Sequence, residues 1–250
     1  MKPLQNYWLS IILVLVLITL WEISASIYDK TYILPTPSAI LEKMIELNDV
    51  LLFVHLPATL QVIVIGLLIS IVFGVSLAVW MNQSTLAEKT FFPIVIASQT
   101  IPIIALAPIF ALWFGYSIWS KVVVTILITF FPITVSTFDG LRSTSKDVTE
   151  LLKTMGATKK QIFLKVQVPS TLPYFFSGLK IAVTLSVIGA AIGEWLGANA
   201  GLGYFSRRMM TQFDGAGVFA PIVWLSILGI GLFLLVKALE KITLKWRKHS

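Results

Sequence analysis

The chain has 250 residues, 57% of them hydrophobic and only 12% charged. A soluble domain averages about 25% charged residues, so a deficit spread along the whole length excludes an ordinary soluble domain and points to an integral membrane protein. The lack of cysteine excludes disulfides and thiolate metal sites, and the net charge of +7 reads as the positive-inside bias of a membrane protein, not as a nucleic-acid surface.

A spanning helix needs roughly 20 predominantly apolar residues. Six stretches qualify, at 8–28, 59–81, 91–114, 118–138, 172–196 and 218–236. The expected fold is therefore all-α, one transmembrane domain over residues 1–250. The first run follows a single lysine, is too long for the apolar core of a cleavable leader and lacks a small-residue cleavage site, so it is expected to stay as a span. Glu22, late in this run beside Trp21, reads as a buried structural contact.

After the first run comes Ile33-Leu-Pro-Thr-Pro-Ser38. Two prolines predict an extended segment, with Ser38 capping a short helix from Ala39 to about Leu47.

The third run holds Pro93, Pro102 and Pro108. The last two each remove a backbone hydrogen bond and predict a kinked helix. At membrane depth, freed carbonyls are tolerated only where protein or a water-filled cavity satisfies them. Pro102 and Pro108, with neighbouring Gln99 and Thr100, are thus candidates for a solute path or gate, with a kinked packing helix as the alternative. The small polar residues Thr129, Thr134, Thr184 and Ser186 are weaker candidates, since such residues more often pack helices together. Gly189, Gly193, Gly229 and Gly231 are read as close-packing positions.

Orientation follows from lysine and arginine. Lys2, Lys89, six residues from Arg142 to Lys165 and five from Lys237 to Lys248 fall on one side, against Lys30, Lys43, Arg207 and Arg208 on the other. That split places both termini and the loop 139–171 in the cytoplasm. Lys121 and Lys180 lie within spans, near ends from which they could snorkel.

The loop 139–171 is polar between greasy runs. Thr144 with Asp147, or Asp147 with Glu150, resembles a capping box. A short helix through Leu151, Leu152 and Met155 is expected to end at Gly156 in a positive-φ turn. A second amphipathic helix follows, with Ile162, Phe163, Val166 and Gln167 on one face and Lys159, Lys160 and Lys165 on others. Pro169 and Pro173 mark a break before the fifth span. The result is a helix–turn–helix elbow.

An ionisable residue inside a span is a functional candidate. Glu194, near the outer end of the fifth span, is either a gating or solute contact or a carboxylate paired with Arg207, Arg208 or the amides of the adjoining Gly-rich loop. His55 and His249 stand alone, so no metal site is expected.

The elbow's spacing is Glu150, five residues, Gly156, nine residues, then Val166-Gln-Val168-Pro169. It resembles the EAA loop of ABC importer permeases, Glu-Ala-Ala, three residues, Gly, nine residues, Ile-x-Leu-Pro. Leu151 and Leu152 depart from the two alanines. Ile33–Ser38, Ala105-Leu-Ala-Pro-Ile-Phe-Ala-Leu-Trp-Phe-Gly115 and Gly193-Glu-Trp-Leu-Gly-Ala-Asn-Ala-Gly-Leu-Gly-Tyr204 resemble, in that order, further elements of the nitrate/sulfonate/taurine and thiamine-pyrimidine-precursor permease group.

The resemblance implies a six-helix permease of the type I ABC importer kind in the plasma or inner membrane. Such a permease works as a pair, binds two cytoplasmic ATPase subunits and receives solute from an extracytoplasmic binding protein. Glu150, Gly156, Ala157, Val166, Val168 and Pro169 would form the coupling helix elbow. The chain is then a transport subunit without cofactor, in keeping with the absence of a Gly-x-x-x-x-Gly-Lys-Ser/Thr phosphate loop. A membrane enzyme would need clustered catalytic groups, and the spans offer only Glu22 and Glu194. The run from Ser186 to Ala198 looks closest to the pyrimidine-precursor permeases, with sulfonate, taurine and nitrate permeases next.

Overall fold

The computed structural model describes residues 8–245. Expectations resting on Lys2, Arg247, Lys248 and His249 lie outside the described residues.

The helices are α1 (Trp8–Tyr28), α2 (Pro37–Glu46), α3 (Asn48–Gln83), α4 (Thr85–Ser98), α5 (Ile103–Phe114), α6 (Ile118–Arg142), α7 (Lys146–Thr154), α8 (Lys159–Gly197), α9 (Leu202–Thr211) and α10 (Gly215–Thr243). Five of them (α1, α3, α6, α8 and α10) are long and apolar enough to cross a membrane, and the bent pair α4–α5 makes a sixth where it is counted as one broken span.

α6 is the centre of the bundle, between α3 and α8. Lipid tails are as apolar as leucine, so helices associate in a membrane by close backbone approach and dispersion. α6 buries Ser120, Thr125, Thr129, Thr134 and Thr137. Three of these hydroxyls donate to carbonyls four residues back, as Thr129 does to Thr125 at 2.8 Å. Ser70 of α3 shares a 2.7 Å hydrogen bond with Thr129. Glycines supply the approach: a Cβ on Gly66 would lie 2.7 Å from Thr125, one on Gly178 2.5 Å from the Pro132 carbonyl and one on Gly193 2.8 Å from the Lys121 Cα. Gly189 likewise packs on Thr125, whereas Gly229 makes only an ordinary 3.6 Å contact and Gly231 faces open space. Thr129, Thr134 and Ser186 are fully buried between helices, and Thr184 is not.

Prolines act differently from one site to the next. In the third apolar stretch Pro102 ends helix formation outright: α4 and α5 meet at 97°. Pro102 stands as N-cap of α5 with extended ψ of 103°; a proline biases the residue before it, here Ile101, away from the α region and offers no N–H to continue the preceding helix. Pro108 and Pro93 are accommodated inside their helices. The break expected at Pro169 and Pro173 does not occur, and α8 is continuous from Lys159. Its residues Phe163–Gln167 form a π-turn, in which the Val168 N–H bonds the Phe163 carbonyl. α3 repeats the device, with a π-turn at Leu51–His55 followed by Pro57. The wider turn moves the upstream carbonyls away from the proline ring, whose clash would otherwise break the helix.

α2 begins earlier than its sequence suggests. Pro37 occupies the first turn and Thr36, not Ser38, is the N-cap, accepting from the Ala39 N–H at 3.2 Å. Proline suits this position because its missing N–H would be unpaired there anyway. Ser38 instead turns to α1: its N–H and hydroxyl donate to the two Glu22 oxygens at 3.0 and 2.6 Å. Lys43 of α2 bridges Glu46 and Asp214, the N-cap of α10. The hydrogen bond to Glu46 raises its ammonium above the ordinary pKa. Both lysines within the spans have partners in the protein. Lys180 pairs with Glu240 of α10 at 2.8 Å, and Lys121 is buried with Nζ 3.4 Å from the Tyr116 carbonyl.

Candidate functional site

The elbow stands at one end of the bundle. Ser145 caps α7 by accepting from Val148, so neither expected capping pair is the one used. Gly156 has φ of +85°. Its N–H bonds the Lys153 carbonyl, and the Ala157 N–H reaches back to the Leu152 carbonyl, both at 2.9 Å. This double closure ends a helix where a left-handed residue follows it. The chain restarts at Thr158, whose side chain accepts from the Gln161 N–H while Gln161 accepts from the Thr158 N–H. Replacing Thr158 with alanine is expected to cost ~1 kcal/mol locally. Amide exchange over 159–162 should speed about fivefold, with the bundle unchanged.

Ile162 is buried, Val166, Val168 and Pro169 are half-buried, and Lys159, Lys160 and Lys165 are exposed. Glu150 is exposed, with no hydrogen bond among the described side chains. α7 buries no residue at all. Val148 and Leu151 of α7 and its C-cap Met155, at helical spacing, are 43%, 60% and 75% exposed. The neighbouring ends of the spans are tied together by Arg142, which pairs with Glu88 of α4 and lies 4.5 Å over the Phe138 ring.

The α4–α5 break lies partway along α6, where Gln99 Nε2 is 3.5 Å from the Leu127 carbonyl. Gln99, Thr100 and Pro102 are exposed, as is Pro108 on α5. Beside them α8 presents an exposed line of Ser177, Ile181, Thr184, Ile188 and Trp195. From Thr184 to Trp195 this line edges a groove of about 700 Å³. Ile104 of α5 and Ile222 and Ser226 of α10 complete the groove.

At the end of the bundle away from the elbow, Glu194 is 1% exposed. It faces neither arginine; Arg207 donates to the Trp195 carbonyl instead. The start of α9 follows Gly201, whose φ is +123° and which brings no capping side chain. Three residues from other helices supply the caps. His55 Nδ1 accepts from the Gly201 N–H at 3.1 Å, Thr59 Oγ1 from Leu202 at 2.8 Å and Glu194 Oε2 from Gly203 at 2.8 Å. A helix N-terminus has four unpaired N–H groups and a partial positive charge, so it favours a carboxylate there: Oε2 takes the Gly203 N–H, while Oε1 is buried with no hydrogen-bond partner among the described residues. Glu22 meets the α2 N-terminus in the same way. The amides of the Gly-rich loop are one of the partners expected for Glu194, whereas the expected pairing with Arg207 or Arg208 is not made; what sequence reading missed is that this amide belongs to a helix start and that Ser38 is the partner of Glu22. The available signal was Gly201-Leu-Gly203, a helix start with no Ser, Thr, Asp or Asn at its cap. Beneath α9, Leu51, Leu202, Phe205, Met209 and Ala220 close a small core.

Residues 70–244 match the family model described as binding-protein-dependent transport system inner membrane component. The chain is 61% identical over 236 residues to the formylaminopyrimidine transport permease protein ThiX of Halalkalibacterium halodurans, covering 94% of each chain. It is 36% identical over 224 residues to a probable ABC transporter permease protein of Haemophilus influenzae, covering 89% of this chain and 91% of that one. Among solved structures it is similar to a chain of the inward-facing MetNI methionine ABC transporter, with TM-score 0.65 and 21% identity over 74% of this chain and 92% of that chain. That likeness establishes the type I importer fold.

Proposed function

Since this chain belongs to the binding-protein-dependent transport system inner membrane components, as the membrane-spanning transport subunit of an ABC importer, we propose that it carries a pyrimidine of the formylaminopyrimidine kind into the cell. The support for that solute is the 61% identity, over 94% of both chains, to a permease named for it. Membership in the family implies a cytoplasmic ATPase and an extracytoplasmic binding protein as partners.

The observation that carries the coupling assignment is the uncovered apolar face of α7 on a helix with no buried residue. We assign that face, with Glu150, Gly156, Ala157, Val166, Val168 and Pro169, to docking on the ATPase. The excess of lysine and arginine around it supports a cytoplasmic elbow and cytoplasmic termini. The whole chain serves as one permease unit and pairs with a second copy along the exposed line of α8. The solute path runs past the α4–α5 break: irregular backbone at membrane depth belongs where it borders a water-filled cavity, and Gln99, Thr100, Pro102 and Pro108 are exposed there. Glu194 serves that path from behind, by holding α9 in place.

Proteoliposomes holding the permease, its ATPase and its binding protein are expected to accumulate formylaminopyrimidine only with ATP inside and binding protein outside. Accumulation of taurine in its place would move the solute assignment to the sulfonate group.

A further inference from the structure

At the α9 end of the bundle a second cleft, about 400 Å³ in volume, breaks the apolar character of the surface. Tyr116, Asn199, Tyr204, Arg207, Arg208 and Thr211 line it. Its walls are fixed from several directions. The Tyr116 ring lies on the Gly197 backbone, where a Cβ would be 2.9 Å from the ring. Arg207 is anchored on the Trp195 carbonyl. Tyr204 tilts over His55 with centroids 6.1 Å apart, and His55 is itself held by the Gly201 N–H. Arg208 is exposed, and its guanidinium makes no hydrogen bond or ion pair among the described residues. Leu196 borders both this cleft and the apolar groove along α8, so the two lie side by side.

Two phenol rings and two planar guanidinium groups offer faces on which a flat ring can stack. The arginines, Asn199 and Thr211 offer N–H and O–H donors. The volume lies within the range of small-molecule pockets, about 300–1,000 Å³. We propose that this cleft is a solute subsite of the permease itself. It receives a flat heterocycle bearing ring-nitrogen and carbonyl acceptors as that solute leaves the binding protein, and passes it to the groove. Arg208 and Asn199 hydrogen-bond the acceptors, and the tyrosines hold the ring. The inference rests on the reading of the solute as a pyrimidine.

The test uses the complete importer in proteoliposomes, with two competing solutes: formylaminopyrimidine and the same pyrimidine without its formyl group. Arg208→Gln removes a charged donor and is expected to lower formylaminopyrimidine uptake about tenfold. It should shift the preference between the two pyrimidines by about threefold or more, because only one carries the formyl oxygen. Tyr204→Phe, which keeps the ring, should retain most uptake, whereas Tyr204→Leu should not. The affinity of the binding protein for the permease should change less than about twofold. Equal loss for both pyrimidines, unchanged uptake, or weakened association of the binding protein would each overturn the subsite; the last would make the cleft a docking face. The wild-type arm separates the two levels of the argument. If wild-type importer moves neither pyrimidine, the solute reading fails and the subsite falls with it. If it moves them and the variants behave as wild type, only the subsite fails.

Discussion

Replacing Glu194 with alanine is expected to lower the stability of the folded protein by about 3 kcal/mol or more. The carboxylate is fully buried, and the Gly203 N–H it accepts from is buried too. An orphaned buried donor costs ~1–3 kcal/mol, and the emptied volume adds a cavity term. Neighbouring groups cannot fill in. His55 and Thr59 already serve Gly201 and Leu202. Glu194→Gln keeps an acceptor oxygen and should lose about 1 kcal/mol. Thr59→Val, which orphans the Leu202 N–H, should lose ~1–2 kcal/mol. Because all three side chains act on one helix end, the Glu194→Ala, Thr59→Val double variant should lose less than the sum of its parts. Thermal unfolding of the detergent-solubilised protein measures the series. A Glu194→Ala protein that melts with the wild type would show that the cap holds nothing.

The second large effect belongs to the elbow. Leu151→Asp with Met155→Asp is expected to weaken ATPase association at least a hundredfold while leaving the fold intact. Both side chains are exposed and neither touches a core. Burying each against a partner is worth about 1.5–3 kcal/mol, and a tenfold change in affinity is ~1.4 kcal/mol, so two lost anchors exceed a factor of one hundred. The unpaired aspartates add a desolvation cost on the same side. Gly156→Val reaches the same end through the backbone: at φ of +85° a β-branched residue is strained even though nothing lies within 4 Å of the added carbon. Co-purification of the ATPase and ATP-driven uptake should fall together, with unchanged melting of the permease. Undiminished co-purification of the double aspartate variant would remove α7 from the coupling contact.

Much of this molecule is legible in its sequence for one reason: a bilayer demands long apolar helices. A run of about 20 such residues leaves few alternatives. The turn at Gly156 was legible because only glycine adopts positive φ at no cost. Prolines were not legible in the same way. Pro102, Pro108 and Pro169 look alike in sequence, yet one breaks a helix, one sits inside a helix and one follows a π-turn that makes room for it. That outcome depends on the hydrogen-bond register upstream, which residue identity does not encode. The carboxylates mark the other limit. Glu22 and Glu194 stand out as ionisable groups in apolar runs, and the loop amides are among the partners expected for Glu194, but residue identity does not say that Ser38 meets Glu22 through its N–H and hydroxyl, or that the amide reaching Glu194 is that of Gly203. A backbone donor has no letter in the sequence. Nor do the groove along α8 and the polar cleft at its end, both assembled from segments far apart in the chain.

α8 has a mechanical consequence. Its 39 residues form one helix, about 58 Å long at 1.5 Å per residue, against a hydrocarbon layer of about 30 Å. It is a beam that overhangs the membrane, with the elbow at one tip and the Glu194 cap at the other. Such a beam converts sideways thrust at its overhanging tip into tilt along its whole length. A π-turn interrupts it at Phe163–Gln167, close to the elbow, and Pro173 removes a further backbone hydrogen bond; if the elbow docks on the ATPase as proposed, thrust there would reach the Glu194 end through the helix beyond these two points.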